Sequence, residues 1–142
     1  MTPDAVQITR AAIDAIAAHG VDTYPHECCG ALIEREGRIV EAWPLENTTL
    51  EGPRRRFLVS PKDYLAAEAR ARRAGGTLAG FYHSHPDHPA RPSQHDLEHA
   101  WPNLAYVIVS VTEGVAGAMT CWRLRDDRSS FEQKDLKWPI AS

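Results

Sequence analysis

No apolar run in this 142-residue chain approaches the roughly 20 residues of a membrane-spanning helix, and the N-terminus carries no signal-peptide pattern. A cytoplasmic protein that does not enter a membrane is expected. Cysteine is scarce: three residues, with Cys28 and Cys29 adjacent and Cys121 far along the chain, cannot form a disulfide framework. All three fall in apolar stretches and read as small buried hydrophobes in a reducing compartment. Excess charge of one sign is also lacking. A formal net charge of -3 gives no electrostatic reason to expect nucleic acid. The basic clusters Arg54, Arg55, Arg56 and Arg70, Arg72, Arg73 read as solvated faces. Repeats, linkers and low-complexity segments are missing, so residues 1–142 are expected to form one domain, with 43% hydrophobic residues to fill its core.

What is present is an α+β order of elements. Ala5, Ile8, Ala12, Ile13, Ile16 and Ala17 repeat at helical spacing behind Thr2-Pro3-Asp4, which reads as a cap, and Gly20 is expected to end the helix. Cys28 to Glu34 and Arg38 to Pro44 flank a turn at Glu36-Gly37 and read as a hairpin. Asn47 to Arg55 is a loop, and Phe57 to Val59 a short strand. In the helix expected over Pro61 to Gly75, Tyr64, Leu65, Glu68, Ala71 and Arg72 give an amphipathic pattern with arginines outward. Thr77 to His83 is a strand, Pro86 to Pro92 a rigid turn, and Ser93 to Ala100 a short helix stopped by Pro102. Strands over Ala105 to Val111 and Val115 to Leu124 surround Glu113-Gly114, and Phe131, Leu136 and Trp138 pack a last strand in a polar tail. One central sheet with helices packed on its faces follows.

The chemistry concentrates in His83-Ser84-His85-Pro86, followed by Ser93 and Asp96, a pattern of H-x-H-x7-S-x2-D. Two histidines one residue apart on a strand face the same way, because side chains alternate there, and so can share an ion. Ser93 and Asp96, at i and i+3 on the short helix, project from one face toward that strand. Pro86, Pro89 and Pro92 stiffen the connection. Two neutral imidazoles and a carboxylate suit zinc, one ion per chain, and three protein ligands leave a fourth position open, the mark of a catalytic site. Hydrolysis is the leading reading.

The pattern resembles the JAMM, or MPN+, family of zinc metallopeptidases, whose signature is a distant Glu followed by H-[ST]-H-x7-S-x2-D. Ser84 fills the middle position, and Glu27, ahead of the apolar run Cys28 to Ile33, has the setting of the upstream Glu. Arg56 to Pro61 and Asp96 to Ala100 are similar to the family's connecting elements, so the likeness runs from Ala5 to Leu124. The resemblance implies a single-domain, cytidine-deaminase-like α/β sandwich with a mixed central sheet flanked by helices, and zinc on His83, His85 and Asp96. It further implies Glu27 as general base and Ser93 as hydrogen-bond donor to the oxyanion. Among the upstream glutamates only Glu27 precedes a continuous apolar run, which predicts a partly desolvated carboxylate with a raised pKa, suited to a base. Family members cut after the Gly-Gly end of ubiquitin or ubiquitin-like proteins. Lacking the insertions that grip a second ubiquitin, this chain is similar to compact bacterial enzymes that trim ubiquitin-like sulfur-carrier proteins, which makes such a carrier, ending in Gly-Gly, the expected partner.

Other readings stand beside this one. A metal-free scaffold or binding module of the MPN type would share the fold, and a deubiquitinase-like isopeptidase would share the chemistry. Cys28 or Cys29 as a thiol nucleophile, with His26 or a distant histidine as base, is a rival mechanism, weakened because apolar burial raises a thiol's pKa. His95-Asp96-Leu97-Glu98-His99 matches the H-x-x-E-H zinc helix of another peptidase class, but Pro102 leaves that helix short. The DNA-associated RadC relatives usually carry an added helical domain for which there is no length. His88 reads as a loop residue, and His19 and His26 as surface or capping histidines, with His26 able to tune Glu27.

Overall fold

The computed structural model describes residues 5–45 and 59–138. Its elements in order are β1 (Ala5–Gln7), α1 (Arg10–Thr23), β2 (Cys29–Arg35), β3 (Arg38–Leu45), α2 (Pro61–Arg73), β4 (Thr77–Pro86), α3 (Gln94–Glu98), β5 (Ala105–Thr112), β6 (Val115–Leu124) and β7 (Phe131–Lys137). The strands form one seven-stranded sheet in the order β1-β7-β6-β5-β4-β2-β3. The β4–β5 and β1–β7 pairs are parallel and the rest antiparallel, giving the mixed sheet expected from the sequence. Both expected tight turns are there. Glu36 and Gly37 have φ of 53° and 78°, and Glu113 and Gly114 have 50° and 80°. Two successive left-handed residues match the twist of the strands they join.

One face of the sheet carries α1 and the other α2, each over an apolar cluster. On the first face Ile8, Ala12 and Ile16 pack over Leu32, Tyr82, Val107, Val109 and Val111. On the second, Ala67 and Ala71 of α2 pack over Ile33, Phe81 and Tyr106. β5 shows how the sequence divides them: Ala105, Val107, Val109 and Val111 go to the α1 side, while Tyr106 goes to the other. Each fully buried valine adds ~1.5–3 kcal/mol relative to an exposed one.

The departures from the sequence reading have local causes. The expected Thr2-Pro3-Asp4 cap lies outside the described residues. Ala5–Gln7 is a strand, paired parallel with Asp135, Leu136 and Lys137, and Thr9 is the actual cap, its Oγ1 accepting the Ala12 N–H at 3.2 Å. Gly20 does not end the helix, which runs on to Thr23. A Cβ at Gly20 would lie 3.0 Å from Val111 Cγ2 and 3.3 Å from Val109 Cγ1, so its bare Cα lets α1 settle close on the sheet. Leu65, expected on the amphipathic pattern of α2, is 63% exposed, because α2 buries its small residues instead. The arginines face outward as expected, and the exposed Arg70 also lies over the Trp43 ring, 4.0 Å from its centroid. Phe57 and Leu58 of the expected short strand, the 47–55 loop and the Arg54–Arg56 cluster lie outside the described residues, and Val59 is not in a strand. The helix expected over Ser93 to Ala100 shrinks to Gln94–Glu98, with Ser93 as its cap.

Candidate metal centre

β4 extends beyond the expected His83 to Pro86, carried by parallel pairing with β5 from Gly80↔Ala105 to Pro86↔Val111. Both histidines therefore sit on regular strand. Phe81 marks the α2 side of the sheet, and His83 and His85, two and four residues on, share that side, while Tyr82 and Ser84 point to the other. The two Nε2 atoms are 3.1 Å apart. Asp96 reaches them from α3, its Oδ2 lying 3.2 Å from His83 Nε2 and 3.3 Å from His85 Nε2. All three residues are buried.

This triangle fits a cation. In a tetrahedral site with bonds of about 2.0 Å, donors stand about 3.3 Å apart along each edge, close to the three distances here. Protonation supports the same conclusion. Burial lowers the pKa of His83 against the opposing pull of Asp96, favouring the neutral ring that ligates metals. His85 Nδ1 donates to the Pro89 carbonyl at 2.9 Å, and since a carbonyl only accepts, a neutral ring has its lone pair on Nε2. Burial works against ionised Asp96. The adjacent His83, hydrogen bonds from His83 and His85, and the Ser93 backbone N–H outweigh it and hold the carboxyl well below the usual range. With the rings neutral and Nε2 unprotonated those two hydrogen bonds are gone, and three lone-pair donors at such distances repel one another, a repulsion that a shared cation relieves. Among the described residues no other cluster of three or more such donors is found.

Ser93 and Asp96 form a capping box rather than two residues on one helical face. Ser93 Oγ accepts the Asp96 N–H at 3.0 Å, and Asp96 Oδ2 accepts the Ser93 N–H at 2.8 Å. The S-x-x-D spacing already carried this signal. The cap fixes the oxygen that faces the histidines. It uses the Ser93 hydroxyl as an acceptor, leaving the hydroxyl proton to be donated, and Ser93 is exposed at the surface.

Glu27 lies in the connection from α1 to β2 and is only 5% exposed. β2 runs antiparallel to β4 with Cys29 opposite His83, and continuing that register two residues places Glu27 level with His85, on the same face. Cross-ties hold this register. The Cys28 N–H donates to Ser84 Oγ at 2.9 Å, and the Ser84 N–H to the Cys28 carbonyl at 3.2 Å. Nearby, Tyr24 Oη donates to Asp87 Oδ2 at 2.7 Å, tying the segment before Glu27 to the turn after His85.

The remaining candidates fall outside the triangle. His95 and His99 stack with centroids 4.2 Å apart, and His99 Nδ1 donates to the His95 carbonyl within the same short helix. His26 and His88 are exposed, as expected. His19 is not a surface residue: it is half-buried, with Nδ1 2.7 Å from the Tyr82 hydroxyl on the α1 side. Burial pushes the Cys29 thiol up to about 12 and Cys121 up to about 11, and it raises Cys28 too, leaving no ready thiolate.

A family model described as prokaryotic homologs of the JAB domain matches residues 9–125. The chain belongs to this family. It is a compact, prokaryotic JAMM-type protein, as the sequence pattern suggested. Tail tip assembly protein K of Escherichia phage N15 is 40% identical over 103 residues, covering 72% of this chain and 40% of that protein, so the chain spans about two fifths of that relative's length. The desampylase of Haloferax volcanii is 33% identical over 117 residues, 78% of this chain and 84% of its own. A probable TtuB-protein conjugate cleaving protease of Thermus thermophilus is 32% identical over 108 residues, 76% and 71% respectively. Among solved structures, a Salinibacter ruber protein superposes with a TM-score of 0.73 at 42% identity, covering 95% of this chain and 92% of that one. A JAB1/MPN domain protein from Archaeoglobus fulgidus, 18% identical over 94% and 96% of the two chains, shares the JAB-domain fold with a TM-score of 0.62.

Proposed function

We propose that this JAB-family protein is a zinc-dependent hydrolase that cuts the peptide or isopeptide bond after the Gly-Gly end of a small ubiquitin-like sulfur carrier. The observation that carries the reading is the buried His83–His85–Asp96 triangle; the buried Glu27, two residues before the Cys29 that pairs with His83, supports it. The names of two relatives, a desampylase and a conjugate-cleaving protease, support hydrolysis of protein conjugates. His83, His85 and Asp96 hold the ion, one per chain. Zinc, when bound there, acidifies an attacking water and polarises the carbonyl. Glu27 takes the proton from that water and returns it to the departing amine. Ser93 donates its hydroxyl proton to the carbonyl oxygen as negative charge develops.

Substrate choice follows from sterics and binding energy. A tail of two glycines has no side chains to clash with walls beside the ion, while the folded body of the carrier supplies the remaining affinity. Mass spectrometry of a carrier bearing a Gly-Gly-Cys or longer C-terminal extension, run beside linked diubiquitin, tests the reading. Release of the residues after Gly-Gly, abolished by a chelator and restored by zinc, is expected, with diubiquitin cut poorly. Cleavage of diubiquitin alone would overturn the substrate while leaving the zinc chemistry standing.

A further inference from the structure

In the turn that follows His85, three consecutive backbone carbonyls are each held by a side chain. Ser110 Oγ donates to the His88 carbonyl at 2.7 Å, His85 Nδ1 to that of Pro89 at 2.9 Å, and Thr120 Oγ1 to that of Ala90 at 2.6 Å. Thr120 Oγ1 in turn accepts Trp122 Nε1–H at 2.8 Å, so its proton has one direction left to go. The donors other than His85 come from β5 and β6, with Ser110 directly beside His85 in the parallel register. Sequence explains why fastening runs through carbonyls: Pro86, Pro89 and Pro92 have no N–H to give. The turn's own amides add the Asp87 N–H to the Val111 carbonyl at 2.7 Å and the Arg91 N–H to the Pro89 carbonyl at 2.8 Å.

A ligating histidine takes its tautomer and ring angle from whatever its other nitrogen bonds, and for His85 that group is the Pro89 carbonyl. The carbonyl's place is set on either side by the His88 and Ala90 ties. We propose that Ser110, Thr120 and Trp122 are positioning residues for His85: through the Pro86–Pro92 turn they keep its Nε2 turned into the donor triangle and thereby set how tightly the metal is held. This rests on the metal site proposed above. It assigns β6, a strand not paired with β4, a part in metal retention.

Competition between the intact chain and a chromogenic chelator for Zn2+ gives the affinity, and long-range proton–nitrogen NMR of the zinc-loaded protein gives the tautomer and environment of His85. Loss of an outer partner of a metal-bound histidine typically weakens binding ~10–100-fold. Thr120→Val, equal in shape but without the hydroxyl, is expected at the lower end, about tenfold weaker. The Ser110→Ala/Thr120→Val double variant should be weaker still, and both should move the His85 nitrogen resonances. Thr120→Ser, which keeps the hydroxyl, should bind zinc nearly as the parent does. If Thr120→Val does not melt cooperatively, Ser110→Ala and Trp122→Phe carry the same comparison. Parental affinity and unshifted His85 resonances in these variants would overturn the inference. Failure of the parent chain itself to bind zinc is a separate result and would overturn the metal site.

Discussion

Asp96 performs two tasks with one oxygen, and substitution can pull them apart. Its Oδ2 accepts the Ser93 N–H at 2.8 Å and lies 3.2 and 3.3 Å from the two histidine nitrogens. Asp96→Asn keeps an oxygen to accept the Ser93 N–H but is uncharged, while Asp96→Ala removes that acceptor and the proposed metal donor together. Even outer partners of metal ligands are worth ~10–100-fold in affinity, so losing one of three direct donors should cost more than about 100-fold in both variants. Folding of the zinc-free protein should separate them. That one hydrogen bond of the capping box is worth ~1 kcal/mol, so Asp96→Ala should be less stable than Asp96→Asn by about that amount. For a domain of this size, 1 kcal/mol is about 2–4 °C in Tm. Elemental analysis after dialysis against a chelator, paired with thermal melts of the stripped proteins, reads both quantities. One zinc per chain retained by Asp96→Asn would refute the assignment of Asp96 as a ligand. Equal melting of the two variants would refute the capping account.

Glu27→Gln should keep fold and zinc yet lose at least ~100-fold in kcat, because the amide cannot take the water's proton; near-parental turnover with normal zinc content would move the base elsewhere. Ser93→Ala should lower kcat ~100-fold while also costing ~1 kcal/mol of stability, since the same hydroxyl caps α3. Ser93→Thr should recover both, and a variant that loses stability but no rate would remove Ser93 from the chemistry. At pH 8 a thiol with pKa about 12 carries ~1,000-fold less thiolate than an ordinary one near 9, so iodoacetamide should spare Cys29 in the folded protein and modify it after unfolding in guanidinium. Rapid modification of the native protein, with activity lost in step, would revive the thiol mechanism.

What the sequence made legible is what is encoded locally. The Glu36-Gly37 and Glu113-Gly114 turns need φ above zero at adjacent positions, a demand that shows in the residues themselves. Strand β1 was hidden because its partner, Asp135–Lys137, lies at the far end of the chain and nothing in Ala5–Gln7 announces it. In α2 helical periodicity alone allows more than one buried stripe. Close packing on the sheet selects Ala67 and Ala71, and Leu65 is left in solvent.

The site divides along the same line. His83 and His85 could be paired from sequence because strand alternation is local, and Asp96 because a short helix follows a stiff turn. What orients His85 could not be read there, since the partner of its Nδ1 is a backbone carbonyl, that of Pro89. Ser84 shows the difference. In the motif it is only the residue between two ligands, yet alternation sends it to the opposite face, where its Oγ takes the N–H of Cys28, 56 residues earlier. That bond and the return bond from the Ser84 N–H lock β2 to β4 one residue from Glu27. A slip of one residue in the pairing would turn Glu27 to the wrong side of the sheet. The spacing H-x-H thus does more than pair two imidazoles. With serine in the middle, the strand that carries the two histidines also fixes the register of the strand that follows Glu27, the proposed base.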